Sequence, residues 1–324
     1  MSPTKPPARR CCVVGGAGFI GSHLVEALLG TGREVTVLDS RRVSKGALAP
    51  GVRYIRGDYG RSEVLDAALE GAGEVVDLAY ATFPKTSYEN PVGDILHNLP
   101  PSVRLLEAAG RATVRKMVVV SSGGTVYGRA QRIPIDEDHP THPISPYGIT
   151  KLALEKYTQM FHQLHDLPVV VVRPANAFGE GQRPFIGQGF IATAMGAILL
   201  KKPVVVYGKS GTVRDYVHAE DIARGIIAAL DKGRPGSAYN IGSGIGRSNR
   251  EVLEAIERLV GPAGFRIRIK TEGLRNFDVP INVLSSEKLH KLAGWQPQVT
   301  WENGLRRTWD WVRLSWHRGS RVLA

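Results

Sequence analysis

The sequence has little of what marks several protein classes. It holds only two cysteines in 324 residues, and these are neighbours, Cys11 and Cys12, on a stretch that reads as a strand. Successive strand side chains point to opposite faces, so a structural disulfide between them is not expected, and the reducing cytoplasm is the expected setting. No uninterrupted apolar run reaches the roughly 18 to 20 residues of a membrane-spanning helix, so no membrane partner is expected. There is no internal repeat. The only biased tract is the Pro-rich, basic stretch at residues 1–10, which carries no small-residue cleavage site and reads as a short flexible tail. Acidic residues are in deficit, 30 Asp and Glu against 42 Lys and Arg, giving a formal net charge of +12. Part of the excess sits at the ends, on Lys5, Arg9, Arg10, Arg306, Arg307, Arg313, Arg318 and Arg321. No nucleic-acid motif or aromatic stacking pattern accompanies it, so solvated surface charge is expected and no nucleic-acid partner. A positive balance also suits an anionic substrate.

What is present is an ordinary globular composition, 43% apolar and 22% charged, in a chain long enough for one large α/β unit or two closely packed lobes. From residue 11 to about 173, short β-branched runs at 11–14, 34–38, 52–55, 74–78, 116–121 and 169–172 alternate with helical patterns. Such alternation implies right-handed crossovers and a parallel sheet. The runs at 118–120 and 169–172 are apolar without alternation, as strands covered on both faces require, so both are expected to be central. After residue 173 the rhythm loosens into a Gly- and Pro-containing segment at 179–189 and helices near 190–200, 219–231, 248–260 and 300–316.

The segment Val13-Val14-Gly15-Gly16-Ala17-Gly18-Phe19-Ile20-Gly21 follows the first strand and opens a helix. Glycines permit a tight turn and close approach to a pyrophosphate, while the helix N-terminus offers free N–H groups and the positive end of its dipole. Gly15, Gly18, Phe19, Ile20 and Gly21 are therefore candidate dinucleotide-binding residues. Asp39 ends the second strand, 18 residues after Gly21, where a carboxylate accepts from the adenosine ribose hydroxyls and repels a 2′-phosphate. NAD is favoured over NADP, with Arg41 and Arg42 as the counterargument. The expected fold is a Rossmann-type, doubly wound α/β parallel sheet with a smaller mixed α/β substrate lobe. The expected division is a tail at 1–10, an NAD-binding domain at 11–175 and a nucleotide-sugar-binding lobe at 176–324.

Tyr147 and Lys151 lie four residues apart in Ser145-Pro146-Tyr147-Gly148-Ile149-Thr150-Lys151, on one face of a helix that Pro146 suits at its first turn. A nearby ammonium and a positive nicotinamide would stabilise the phenolate, lowering the Tyr147 pKa and making it a base for a hydroxyl proton.

With these motifs in order, the chain resembles the extended short-chain dehydrogenase/reductase family, specifically its NAD-dependent nucleotide-sugar epimerases, over about residues 10–315. Further landmarks are Gly57-Asp58, Asp77-Leu78-Ala79, the loop Ser121-Ser122-Gly123-Gly124-Thr125-Val126-Tyr127-Gly128, Arg173-Pro174-Ala175-Asn176, Gly211-Thr212-Val213-Arg214-Asp215-Tyr216 and Arg275-Asn276-Phe277-Asp278. The resemblance implies that Asp58 meets the adenine, Tyr147 is the acid/base, and Lys151 binds the cofactor ribose and tunes Tyr147. It also implies that Arg214 and Arg275 hold a diphosphate, that Asn176 donates to substrate, and that Asp278 accepts from the uridine ribose. Asn282 falls where some relatives carry an aromatic beside the sugar. One departure is that the UDP-galactose 4-epimerase pattern places its catalytic Ser where this chain has Gly123. The hydroxyl then comes from Thr125, two residues on along the same side of an extended segment, or from Ser122.

The implied activity is C4 epimerisation of a UDP-hexose, glucose/galactose or the N-acetyl forms, through a transient 4-keto sugar. UDP-glucuronate is an alternative for which Arg183 is a candidate cation. A 4,6-dehydratase is disfavoured because Gly123-Gly124-Thr125 stands where that subgroup carries Thr-Asp-Glu. An NAD(P)H-dependent keto-sugar reductase and a non-catalytic redox sensor or scaffold are the other readings, the latter disfavoured by retention of both Tyr147 and Lys151. The family also implies a homodimer through the helices at 91–111 and 146–165, although Leu105, Leu106, Ala108 and Ala109 would equally suit packing on the chain's own sheet.

Overall fold

The computed structural model describes residues 9–44, 48–273 and 279–317. Most of the tail, Lys5 included, and Arg275, Asn276, Asp278, Arg318 and Arg321 lie outside the described residues.

Strands and helices run in the order β1 (Arg10–Val14), α1 (Phe19–Gly30), β2 (Glu34–Asp39), β3 (Arg53–Arg56), α2 (Ser62–Leu69), β4 (Glu74–Asp77), α3 (Pro84–Glu89), α4 (Pro91–Arg111), β5 (Lys116–Val120), α5 (Pro146–His165) and β6 (Val169–Pro174). The chain continues with β7 (Asn176–Phe178), α6 (Phe190–Leu199), β8 (Val204–Tyr207), β9 (Val213–His218), α7 (Ala219–Lys232), β10 (Ala238–Ile241), β11 (Gly246–Ser248), α8 (Asn249–Val260), β12 (Ile269–Glu272), β13 (Ile281–Asn282), α9 (Glu287–Ala293) and α10 (Trp301–His317).

The main sheet has seven parallel strands in the order β10-β6-β5-β4-β1-β2-β3. The chain winds outward from β1 through β3, then crosses back to β4, so a topological switch point, the ligand crevice of such sheets, opens at the C-terminal ends of β1 and β4. The all-valine runs of β5 and β6 are internal strands buried on both faces, as their lack of alternation requires. Leu24, Val25 and Leu28 of α1 and Ile222, Ala223 and Ile226 of α7 pack on one face. Leu65 of α2 and Leu154 of α5 pack on the other together with Leu105, Leu106, Ala108 and Ala109 of α4, which therefore serve the chain's own sheet.

The division expected at residue 175 does not follow the sheet. β10 pairs with β6 beyond that point and α7 packs beside α1, so the N-terminal layer is completed by a later excursion of the chain. The rest forms a smaller lobe on a separate core of α6, α8, α10 and β8, with small sheets built from β7, β9, β11 and β13 and from β8 and β12. The terminal charges are more engaged than a solvated reading requires. Arg10 opens β1 and reaches Glu34 at 2.8 Å, Arg9 reaches Asp231 at 2.7 Å, and Arg307 bridges Glu180 at 2.6 Å and Glu220 at 2.8 Å.

Candidate active site

A cleft of about 1440 Å³ runs along the switch point between the sheet and the smaller lobe. At one end, the turn after β1 needs its glycines. Gly15 has φ +81°, and a Cβ there would lie 2.8 Å from Ala79 N; one on Gly21 would lie 2.5 Å from Gly15 O. Gly18, the N-cap of α1, contributes no side chain, and the first helical turn carries no acid, so the helix terminus presents bare N–H groups to the cleft. Such a cradle fits a pyrophosphate. Asp39 fixes it from below, with Oδ2 accepting from Ala17 N–H and Oδ1 from Arg41 N–H, both at 3.0 Å. Each oxygen keeps lone-pair capacity for a ribose hydroxyl. Arg41 is tied to the same turn, donating to Ala17 O at 3.0 Å, and Asp58 lines the cleft nearby.

Further along, α5 starts at Ser145, whose Oγ accepts from Gly148 N–H at 3.1 Å, with Pro146 in the first turn. Capping at this point fixes where the helix begins, and so places Tyr147 in its first turn and Lys151 one turn later, both on the cleft wall. Lys151 Nζ donates to Val120 O at 2.8 Å and stands 4.0 Å from the centre of the Tyr80 ring and 6.0 Å from that of Tyr147. Burial lowers the Lys151 pKa to about 8, against the attraction of Asp77, Glu155 and Asp94, while burial raises Asp77 to about 6. The expected lowering at Tyr147 is not what the chain produces by itself. Burial, reinforced by the charge of Asp94, holds the phenol well above its ordinary range. Activation as a base must then draw on the other element of the argument, a positive nicotinamide beside the ring.

The loop between β5 and α5 is not the extended segment used above to align Thr125 with Gly123. It is a tight turn, with Val126 N–H donating to Ser122 O at 3.1 Å. A Cβ on Gly123 would meet Leu284 Cδ1 at 2.4 Å and Arg173 O at 2.8 Å, which gives the departure at this position a steric cause. Ser122 and Thr125 both line the cleft, and Thr125 Oγ1 is enclosed without a hydrogen-bond partner among the described residues. Asn176, at the start of β7, and Arg214, on β9, line the far end. The cleft therefore brings together Gly15, Gly18, Phe19, Ile20, Gly21, Asp39, Asp58, Ser122, Thr125, Tyr147, Lys151, Asn176 and Arg214. Asn282 is placed elsewhere: it is wholly buried behind the loop, donating from Nδ2 to Gly123 O at 3.0 Å, and is not part of the cleft wall.

Two supports escaped the sequence reading. Glu155, one turn beyond Lys151, receives a bidentate grip from Arg173, Nη2 to Oε2 at 2.6 Å and Nε to Oε1 at 3.0 Å, and accepts from Ser121 Oγ. Arg173 Nη1 donates to Tyr127 OH at 2.9 Å, and that hydroxyl donates to Asn240 Oδ1 at 2.7 Å. Asp94, buried in α4, accepts from Thr150 Oγ1 at 2.6 Å and pins α4 to α5. A charged residue directly after a valine run and an acid one turn from Lys151 were the available signals.

Fold and site together define an enzyme of the dinucleotide-binding, Tyr-x-x-x-Lys type. The model of the NAD dependent epimerase/dehydratase family matches residues 11–242, and the chain belongs to that family. It is 34% identical to the UDP-glucose 4-epimerase of Mycolicibacterium smegmatis over 94% of this chain and 98% of that protein. Among solved structures, the UDP-glucose 4-epimerase of Thermus thermophilus in complex with NAD matches with TM-score 0.86 and 36% identity, over 94% of this chain and 99% of that one. The UDP-glucose 4-epimerase of Thermotoga maritima with UDP-glucose matches with TM-score 0.88 and 30% identity, over 95% and 99%.

Proposed function

We propose that this enzyme epimerises a UDP-hexose at C4, carrying NAD as a resident cofactor and passing through a 4-keto sugar. The observation that carries this reading is one continuous cleft that joins the glycine cradle, the Tyr147–Lys151 pair with the unpartnered Thr125 hydroxyl, and Arg214. Bound NAD supplies the acceptor and then the donor of a hydride. Tyr147 takes the proton of the sugar 4-hydroxyl as the C4 hydride departs, and returns it when hydride comes back to the opposite face. Thr125 Oγ1 hydrogen-bonds the same oxygen, with Ser122 as the alternative donor, and Lys151 keeps positive charge near the phenol. Arg214 and Arg275 hold the diphosphate while the keto sugar turns over, a use of remote binding energy that retains the intermediate. Asn176 and Asp278 are the proposed further substrate contacts.

Elimination chemistry of the 4,6-dehydratase kind finds no support in the wall. Among the described residues its carboxylates are Asp39 and Asp58 at the adenosine end and Glu89 on α3, none on the Ser122–Thr125 turn. The exposed apolar residues Val92 (64%), Ile95 and Leu96 (61%) on α4 and Ile149 (56%), Tyr157 and Leu164 (71%) on α5 support a homodimer through these helices. Free, buried Cys11 and Cys12 support a reducing compartment, the cytoplasm.

The test is to incubate the purified protein separately with UDP-glucose, UDP-galactose, UDP-N-acetylglucosamine and UDP-glucuronate without added NAD, identifying products by chromatography and NMR. A C4 epimer from a hexose or its N-acetyl form is expected. No conversion of any of the four, with NAD supplied as well, sinks the proposal, and conversion of UDP-glucuronate alone reassigns the substrate.

A further inference from the structure

Beside the acid/base pair stands an aromatic residue that belongs to neither motif. Tyr80 follows β4 in Asp77-Leu78-Ala79-Tyr80 and lines the cleft. Its ring meets that of Tyr147 edge-on, centres 4.8 Å apart, and lies closer to Lys151 Nζ than the Tyr147 ring does, 4.0 Å against 6.0 Å. Its hydroxyl is enclosed near Thr150, without a well-formed hydrogen bond among the described residues. What the residue offers its neighbours is therefore a ring face.

Lys151 is a cation in need of one. Its ammonium can donate three hydrogen bonds, and the described residues supply one acceptor, the Val120 carbonyl at 2.8 Å. The carboxylates that face it are Asp77 at the end of β4, Asp94 on α4 and Glu155 on its own helix. Thr150 and the Arg173 guanidinium already engage the latter two, and no carboxylate among the described residues comes within ion-pair distance of Nζ. A ring face attracts a cation within about 6 Å, and more strongly where water is excluded. We infer that Tyr80 is a positioning residue for Lys151, its ring a fixed platform that holds the ammonium, charged, at the cleft wall beside Tyr147. Without the platform, burial acts on Lys151 unopposed at this side, and the amine gives up its proton closer to neutral pH.

The inference rests on the proposed epimerisation only for its turnover measurement. Two variants separate the ring from the hydroxyl: Tyr80→Phe keeps the face, and Tyr80→Leu removes it. Lys151 Nζ is titrated by NMR on ¹⁵N-lysine-labelled, NAD-loaded protein, with the resonance assigned through Lys151→Arg, and kcat is recorded against pH on the same samples. In the Leu variant the Lys151 midpoint and the alkaline limb of kcat are expected to move down together by about one pH unit, with KM changing less than about twofold. The Phe variant is expected to follow the parent. A Leu variant whose Lys151 titrates with the parent overturns the inference, as does a Phe variant that shifts as far as Leu. Should Leu prevent folding, Tyr80→Met, which fills more of the volume without a π face, takes its place. If none of the UDP-hexoses is turned over, the NMR midpoint decides alone, so failure of the epimerase reading leaves this one testable.

Discussion

Two polar clusters share helix α5 and are built to opposite rules. One turn beyond Lys151, Glu155 joins Arg173, Ser121, Tyr127 and Asn240, which satisfy one another in a closed, buried network. Around its first turns, among the described residues, Lys151 has one hydrogen bond, Thr125 Oγ1 and the Tyr80 hydroxyl have no well-formed one, and Tyr147 is held protonated by burial. Seven described residues carry an enclosed polar side-chain atom without a well-formed hydrogen bond, and four of them, Tyr59, Tyr80, Thr125 and Gln182, line the cleft. Leaving such groups unpaired is destabilising, so their concentration along one wall marks a region that is not arranged for stability alone. The network at Glu155 supports the fold, while the incomplete wall around Tyr147 and Lys151 is available for chemistry.

The sharpest way to break this contrast is to exchange the consequences of mutating each cluster. Tyr147→Phe should lower kcat by about 10²- to 10⁴-fold while moving Tm by no more than a few degrees. Arg173→Met should do the reverse, leaving Glu155 buried and unpaired at about 3–5 kcal/mol of stability, a fall in Tm on the order of 10 °C. Calorimetry and turnover on both proteins decide it. A Tyr147→Phe protein that melts early, or an Arg173→Met protein as stable as the parent, would mean that the two clusters are not distinct in function.

Within the cleft cluster, the two candidate hydroxyls can be told apart. Thr125→Val removes the unpartnered Oγ1 and should reduce kcat about 10- to 100-fold, the worth of a hydrogen bond to an oxygen that gains charge in the transition state. Ser122→Ala should stay within about threefold of the parent. Steady-state kinetics with equal NAD content settle the assignment, and a larger loss at Ser122 gives it the catalytic role.

The first-half strands and the glycine turn were legible because they follow from local rules: β-branched runs, glycines at a strand-to-helix turn, and a four-residue helical spacing. β10 was not, because the four residues Ala238–Ile241 carry no periodic signal and their place beside β6 is decided by packing far along the chain. The Thr125 geometry was misjudged for a related reason. Glycines at 123 and 124 allow either an extended or a turned loop, and the space at 123 is bounded by Leu284 and the Arg173 carbonyl, more than 45 residues away. Asn282 shows the limit most clearly. Its spacing from Asp278 gave it a place beside the sugar, whereas pairing of β13 with β9 puts it opposite Arg214 and behind the Gly123 loop. Tyr80 left no sequence signal, since its role comes only from meeting Lys151 and Tyr147 in space.

The smallest expected effect also separates the two clusters, through pH. Arg173 is held above its already high pKa, chiefly by hydrogen bonds and attraction to Glu155 that outweigh burial, so its charge does not change between pH 6 and 10. Lys151 is the opposite case. Its folded pKa, about 8, lies below its ordinary 10.5, so its stabilising contribution is present above pH 10.5 and lost as pH falls through 8. At neutral pH the folded protein thus holds an ammonium that the unfolded chain would solvate better. Replacing it by Lys151→Met should abolish turnover yet raise stability at pH 7 on the order of 1–2 kcal/mol, a few degrees in Tm. Part of the gain is offset because Asp77, already raised to about 6, loses its attraction to the ammonium. By pH 10 the advantage of the Met variant should have largely disappeared, because the folded parent then carries a neutral amine. Melting both proteins from pH 6 to 10 checks this: a stability difference independent of pH would show that Lys151 is held charged by partners as complete as those of Arg173, and would erase the distinction between the two clusters on α5.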